Sequence, residues 1–271
     1  MKALKFMLPF LFALSLVSVG EGRTVGKTIR GQLIYTDGAK VLFGIGEDVI
    51  QDVEDFEVTA WNDTALAGLE TGDSTQYLLG WKQAFVSAGT GLSTIQKVDT
   101  VGGIIQLNSS ANDNDGIQIV RRNASFSADS ANSGFLWFSA RIKFDEATQS
   151  DFLIGLVTVD DASIIGGVAD GIYFVKADGS TTLNGTVESN TVAANNSYGT
   201  ALASGTWYNL DFVFRDNRVE FFVNDVSIGK QTTGIPIDVL APAIAWLNGA
   251  GSAQNEGMMV DYIRTVQIIN R

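Results

Sequence analysis

Residues 135–160, FLWFSARIKFDEATQSDFLIGLVTVD, decide the fold. The first part alternates apolar and polar side chains, so one face of an extended strand is wholly apolar. That face carries Leu136, Phe138, Ala140, Ile142 and Phe144. A polar loop follows, and then a second apolar run over residues 152–159. Two half-buried strands joined by a polar loop predict an antiparallel β-sandwich.

The rest of the chain repeats this pattern. Short apolar runs are separated by turn signals such as Asp-Gly and Asp-Asn every 8–12 residues, which predicts about twelve strands. The 271 residues include 29 Gly and 3 Pro, a composition that suits tight turns. We therefore expect an all-β, two-sheet sandwich over residues 55–271, preceded by a small appendage over residues 21–54.

Residues 1–20 have the layout of a secretory signal peptide. Lys2 and Lys5 precede an apolar run from Phe6 to Val19, and small residues follow. The run is shorter than the roughly 20 apolar residues of a membrane span, so no stable span is expected. The alternative is an apolar arm that is retained and buried against a partner subunit.

Charge and composition exclude several classes of function. The net charge is −12, with 18 basic and 30 acidic residues, which argues against binding nucleic acid through its phosphates. Cysteine is absent, which excludes disulfides and thiolate metal sites. Histidine is absent too, which excludes Ser-His-Asp and Cys-His catalysis.

Two acidic segments are candidate metal sites. The first is a Gly-terminated run of oxygen-bearing side chains that suits Ca²⁺: Asn112, Asp113, Asn114, Asp115 and Gly116. Its spacing is not that of an EF-hand, and Asx turns give the same composition. The second is Asp160 and Asp161 with Asp170, for which a solvated loop is the plainer interpretation. Calcium is thus a possible cofactor, but the sequence designates no metal ligand, no cofactor-binding residue and no catalytic residue.

Glycoside hydrolysis on a sandwich needs two carboxylates that face each other across a cleft. On one strand, this calls for acids two residues apart, as in a Glu-x-Asp-x-x-Glu pattern. Glu54 and Glu57 are three residues apart, while Asp145 and Glu146 are adjacent and point oppositely if extended. The sequence therefore predicts that the protein is not an enzyme.

Aromatic side chains offer platforms for a sugar ring or for a partner protein. The candidates for sugar stacking are Trp61, Trp81, Trp137, Tyr198 and Trp246. Trp137 falls on the outward face of its strand with Phe135, Ser139 and Arg141, and such an aromatic pair favours a protein–protein contact.

Several segments of the chain resemble known proteins, first at the level of the fold and then at the level of one family. Residues 205–230, GTWYNLDFVFRDNRVEFFVNDVSIGK, and residues 258–268, MMVDYIRTVQI, resemble strands of concanavalin A-like and laminin-G-like jelly rolls. Residues 102–119, 147–156 and 170–188 resemble a family of tailed-phage virion proteins, and the likeness runs through residues 55–269. That family implies a lectin-like fold and a place on the capsid surface as a decoration protein.

The resemblance implies a structural protein of a phage virion. Its expected partners are capsid or other virion proteins and further copies of itself in a homo-oligomer, with weak binding of host-surface glycans. Residues 1–54 are the expected docking region. The alternative is a secreted bacterial carbohydrate-binding or adhesive module, found outside the cell once residues 1–20 are removed.

Overall fold

The computed structural model describes residues 24–29, 32–37, 40–45, 48–57, 75–78, 80–86, 93–98, 103–131, 133–159, 164–165, 167–250 and 257–270. The predicted leader lies outside these residues, as do Trp61, Asp160 and Asp161. No helix in the described residues is long and apolar enough to span a membrane.

The described residues form twenty β-strands. In chain order, these are β1 (Thr24–Ile29), β2 (Gln32–Asp37), β3 (Lys40–Ile45), β4 (Val49–Glu54), β5 (Thr75–Leu78), β6 (Trp81–Val86), β7 (Thr94–Lys97), β8 (Ile105–Asn108), β9 (Gly116–Arg121), β10 (Phe126–Ser127), β11 (Ser133–Phe144), β12 (Ser150–Val157), β13 (Gly171–Lys176), β14 (Thr182–Ser189), β15 (Val192–Ala201), β16 (Tyr208–Arg215), β17 (Arg218–Val223), β18 (Val226–Gln231), β19 (Val239–Asn248) and β20 (Gly257–Ile269).

The strands form two large antiparallel sheets and one small sheet. The nine-stranded sheet has the order β15-β14-β13-β12-β19-β9-β6-β5, with β10 paired to β19. The eight-stranded sheet has the order β18-β17-β16-β11-β20-β8-β7, with β4 paired to β20. Strands β1, β2 and β3 form a sheet of their own. The predicted all-β, two-sheet architecture is confirmed.

The segment that decides the fold connects the two large sheets. It forms β11 in the eight-stranded sheet and β12 in the nine-stranded sheet. All five apolar residues predicted to face inward on β11 are fully buried in the main core. They meet Phe152, Ile154 and Leu156 of β12, and the rings of Phe144 and Phe152 lie 5.7 Å apart. Alternation therefore identified the core face of β11 correctly.

Tight turns join the strands of both sheets. The turns after β16 and β17 hold Asp216 and Asn217, and Asn224 and Asp225, all with φ between 49° and 66°. Positive φ at both central residues matches the right-handed twist of a hairpin, and Asn and Asp tolerate it best. The turn between β13 and β14 places Gly179 at φ 71°. These are the hairpins that the turn signals predicted.

Strand β4 lies within the segment predicted as an N-terminal appendage, residues 21–54. It pairs with β20 from Val49↔Ile268 to Glu54↔Ile263 and so extends the eight-stranded sheet. The boundary at residue 55 and the docking role of residues 1–54 stay predictions.

Candidate functional site

The outward face of the nine-stranded sheet is covered by the chain itself. Its side chains are small or apolar, and residues of the segment after β12 pack on them. The buried members of this cluster are Val120, Leu153, Val157, Ile164, Val168, Tyr173, Ala241, Ala243 and Ala245. The side-chain oxygen of Gln118 accepts a hydrogen bond from the backbone N–H of Ile164 at 2.8 Å, which fixes the covering segment.

A buried polar pair lies on this same covered face. The hydroxyl of Tyr173 donates a short hydrogen bond to the carboxylate of Glu188 on β14. Burial raises the pKa of Tyr173, and the hydrogen bond and charge of Glu188 raise it further. Tyr173 therefore acts as a fixed proton donor to a buried carboxylate. The pair contributes to the closed face and offers no surface to a ligand.

A buried lysine stands at the end of β13. Lys176 is fully buried, and its ammonium donates to the backbone carbonyls of Ser150, Ala177 (3.1 Å) and Ser180 (2.9 Å). Burial lowers the pKa of Lys176 to about 8, against the attraction of nearby carboxylates, of which Asp151 is the strongest. The ammonium joins the loop before β12 to the turn after β13.

The outward face of the eight-stranded sheet differs from one end to the other. At one end, Phe135 and Trp137 pack with Val266 and Ile268 and are only 4% and 1% exposed. They lie on the outward face, as predicted, but they are buried rather than open to a partner. At the other end lies Trp207, which keeps part of its surface in solvent.

Two charged side chains of β11 lie close to the ring of Trp207. The guanidinium of Arg141 lies 4.5 Å from the centroid of the indole, and the ammonium of Lys143 lies 5.3 Å from it. Since Ile142 pairs with Tyr208, the neighbouring position Lys143 falls beside Trp207. Cation–π attraction of this kind holds a ring in place.

A β-bulge brings residues of β20 to the same place. The register between β11 and β20 shifts between Arg141 and Ile142, which leaves Asp261 as the extra residue of β20. Arg141 forms an ion pair with Asp261 at 2.6 Å. Next to it, the hydroxyl of Tyr262 donates to the side-chain oxygen of Asn209 at 3.4 Å.

These residues form one surface, which we call the aromatic–cationic patch. It consists of Arg141, Lys143, Trp207, Asp261, Tyr262 and Arg264, none of them fully buried. The guanidinium of Arg264 lies 4.3 Å from the ring centroid of Tyr262 and completes the second aromatic–cation pair. The two aromatic rings can stack on a flat apolar face of a ligand. The charged side chains beside them can donate hydrogen bonds to polar groups at the rim of that face.

The predicted sugar platforms are not part of this patch. Trp81, Trp137 and Trp246 are at most 1% exposed, so none of them can stack on a ligand. Trp61 and the side chain of Tyr198 lie outside the described residues. Sequence reasoning missed Trp207, although a signal was present: with Tyr208 inward on an alternating strand, Trp207 must point the other way.

The loop at residues 112–116 is held by its own hydrogen bonds. Asp115 is buried, and its carboxylate accepts from the hydroxyl of Ser110 and from the amide of Asn112. Asn114 has φ 63°, as an Asx-rich turn allows. In the described part of the chain, no group of three or more acidic, His or Cys side chains is placed to hold a metal ion. The calcium site stays a prediction.

The second predicted acidic site is described only in part. Asp170 is buried, and its carboxylate accepts a hydrogen bond from the backbone N–H of Asn190 at 3.2 Å. Asp170 therefore fixes the turn between β14 and β15. Asp160 and Asp161 lie outside the described residues.

A pair of carboxylates that the sequence argument overlooked lies on β4. Asp52 and Glu54 are two residues apart, and both reach Arg121 of β9. The Nε and Nη2 atoms of Arg121 donate to Asp52 at 2.7 and 2.8 Å, and Nη2 also donates to Glu54 at 3.2 Å. The indole of Trp81 and the backbone N–H of Phe56 donate to the two oxygens of Glu54 at 3.1 and 3.0 Å.

This carboxylate pair lies beside a cavity of about 440 Å³ at the edge of the sandwich, which Asp52 lines together with Ile50, Arg122 and Phe126. Because one guanidinium nitrogen contacts both carboxylates, the two are close, as the carboxyl groups of a retaining glycosidase are. Each of their four oxygens accepts from a protein donor, however. A general acid must donate a proton from one such oxygen. The two carboxylates would therefore have to exchange these hydrogen bonds before either could act as a general acid.

Comparison with solved structures shows the fold. The chain is 14% identical to a β-1,3-glucanase from Mycobacterium marinum, with a TM-score of 0.52, over 79% of this chain and 97% of that one. It is 13% identical to a glycosyl hydrolase family protein from Mycobacterium fortuitum, with a TM-score of 0.53, over 79% and 98%. The carbohydrate recognition domain of Emp47p is 10% identical, with a TM-score of 0.50, over 73% and 92%.

These neighbours confirm the concanavalin A-like jelly roll that the resemblance implied. They give no support to the virion family, which is the finer part of that resemblance. No family model matches the chain, and no curated protein matches it.

The prediction that the chain is not an enzyme is wrong. Its structural neighbours include a glucanase and a glycosyl hydrolase family protein, so the fold itself is compatible with hydrolysis. The prediction rested on the absence of two carboxylates two residues apart on one strand. Asp52 and Glu54 meet that spacing on β4.

Proposed function

We propose that this protein is a carbohydrate-binding, lectin-like module that holds a glycan on the aromatic–cationic patch. The observation that carries the proposal is Trp207, a partly exposed indole fixed by Arg141 and Lys143 on an outward sheet face. A pyranose ring has a C–H face that stacks on an indole, and its hydroxyl groups form hydrogen bonds with charged side chains at the rim.

The surroundings of the patch support the same proposal. The outward face of the other sheet is covered by Ile164 and Val168, and the far end of the eight-stranded sheet is occupied by Phe135 and Trp137. The patch thus has the exposed aromatic surface that those regions lack. The fold is also shared with a carbohydrate recognition domain, that of Emp47p.

Glycan binding by the purified protein tests this proposal. We expect the wild type to bind at least one glycan on an array, and Trp207→Ala to weaken that binding at least about tenfold. Ile237→Ala is the matched control, because Ile237 is 68% exposed and lies outside the patch. Its binding should equal that of the wild type. Absence of binding to every glycan, or equal loss in both variants, would refute the proposal.

The same preparation should be assayed for cleavage of β-glucans. Hydrolysis by the wild type that is lost in Glu54→Gln, with binding unaffected by Trp207→Ala, would assign the activity to the cavity beside Arg121 instead. Val53→Ala is the matched control for that variant, because Val53 lies on β4 between Asp52 and Glu54, is 49% exposed and does not line the cavity. It should keep any hydrolysis that the wild type shows.

We further propose that the module acts outside the cell, after removal of residues 1–20. Mass spectrometry of the native protein should then find an N-terminus near Glu21. A full-length chain in purified virus particles would instead favour the virion hypothesis, in which the same patch would contact host-surface glycans.

A further inference from the structure

The charge of the aromatic–cationic patch is opposite to that of the chain. The patch holds three cations, Arg141, Lys143 and Arg264, and one carboxylate, Asp261. The whole chain carries a net charge of −12. A local excess of positive charge on an acidic protein favours negatively charged ligands over neutral ones.

One of the three cations, Lys143, is placed to contact an anion. Arg141 is committed to Asp261 at 2.6 Å. Lys143 forms no ion pair with any described residue, and its ammonium faces the indole of Trp207. The Nε atom of Arg264 is buried and has no hydrogen-bond acceptor within the described residues. Because this atom is buried, a ligand does not reach it, and Arg264 contributes its positive charge to the patch.

Two other carboxylates on the outward face of the same sheet are paired or buried. Glu220 pairs with Lys230 at 3.2 Å on the neighbouring strands β17 and β18. Asp211 is 1% exposed and therefore buried beneath the surface. Among the described residues, Asp261 is thus the one carboxylate of the patch itself, and it is engaged.

We infer that the glycan held on the patch is an acidic one, with a carboxylate or a sulfate ester placed against Lys143 while a sugar ring stacks on Trp207, and with Arg264 adding to the positive charge of the patch. This inference rests on the proposed function and narrows it to one chemical class. A long polyanion of the nucleic-acid type does not fit, because the net charge of −12 repels phosphates beyond the patch.

Matched pairs of short oligosaccharides test the inference. Short oligomers of galacturonate are compared with their methyl esters, which keep the backbone and remove the charge, and short oligomers of a sulfated galactan are compared with their desulfated forms. By calorimetry, we expect one acidic form to bind at least about tenfold more tightly than its neutral counterpart. The pair that shows the difference identifies the anion as carboxylate or sulfate. Added salt should reduce the difference.

Substitutions in and outside the patch test where the anion of the glycan binds. Lys143→Met keeps most of the side-chain length and removes the charge, so it should weaken binding of the acidic form more than that of the neutral form and abolish the preference. Lys230→Met, on the same sheet outside the patch, is the control and should keep the preference. Equal binding of acidic and neutral forms, lost in Trp207→Ala, would overturn the inference and leave the proposed function intact. Failure of all glycans to bind would overturn both the inference and the proposed function. A preference for the acidic form that Lys143→Met leaves unchanged would show that the anion does not bind at the patch, and would overturn the inference.

Discussion

On the nine-stranded sheet, the outward face is lined by Ala241, Ala243 and Ala245, and a segment of the same chain packs on it. On the eight-stranded sheet, the outward face ends in Trp207, which stays partly in solvent with two cations close to its ring. Both sheets contribute to the core between them. Their outer faces have different uses: the first stabilises the fold, and the second is available to a ligand.

The two sheets also differ in how they place charged side chains. Lys176 of the nine-stranded sheet is buried, and backbone carbonyls surround its ammonium. Lys143 of the eight-stranded sheet lies over an aromatic ring at the surface. A buried cation that is fully hydrogen bonded serves its own chain, whereas a cation beside an open ring can still meet a ligand. The comparison thus predicts where substitutions change stability and where they change binding.

The largest expected effect is on the closed face. Leu153→Ala should lower the free energy of unfolding by about 2–5 kcal/mol, because it removes a side chain that is 1% exposed and leaves a cavity within the cluster that includes Ile164. Urea denaturation measures the loss. Val226→Ala, at a position 66% exposed on β18, should change stability by no more than about 0.5 kcal/mol. A similar small loss in Leu153→Ala would mean that this face is not a packed second core.

The next effect is the pH dependence contributed by Lys176. Its pKa of about 8 in the folded chain lies below the ordinary value of 10.5, so the unfolded chain binds more protons between these two values. Stability should therefore rise with pH across this window, by at most about 1.4 kcal/mol per pH unit, and this lysine should contribute no pH dependence below it.

Urea denaturation of the wild type and of Lys176→Met at several values from pH 7 to pH 10 isolates this contribution. The difference in unfolding free energy between the two proteins should shift in favour of the wild type as pH rises above about 8. Parallel curves would mean that Lys176 titrates alike in the folded and unfolded chains.

Much of the fold could be predicted because it depends on local patterns. The alternation in β11 identified Leu136 and Phe138 as core residues, and Asp-Asn and Asn-Asp pairs identified the turns around β17. The number of strands was underestimated, at about twelve against twenty in the described part of the chain, because short edge strands such as β5 and β7 have too few residues to show a period.

The candidate site could be predicted only in part. The alternation of apolar and polar residues in β11 correctly predicted that Trp137 lies on the outward face. A period of two does not show what covers that face, however, and Trp137 is buried. The partners of Trp207 come from β11, and the nearby Tyr262 comes from β20, over a hundred residues from β11 in the chain. Sequence spacing cannot predict that residues from such distant strands lie close together, because this depends on the order of strands in the sheet and on the bulge at Asp261.

The smallest expected effect on stability is at the patch. Trp207→Ala should cost only about 1 kcal/mol, since the indole is partly exposed and loses mainly its cation–π contacts with Arg141 and Lys143. Trp246→Ala is the matched control: the same substitution at a fully buried ring should cost about 3–5 kcal/mol. Thermal and urea denaturation measure both. If the two variants were equally destabilised, Trp207 would be a core residue in effect, and any loss of glycan binding in Trp207→Ala could be ascribed to unfolding. If Trp207→Ala stays folded and loses binding, the open face is the one that meets the ligand.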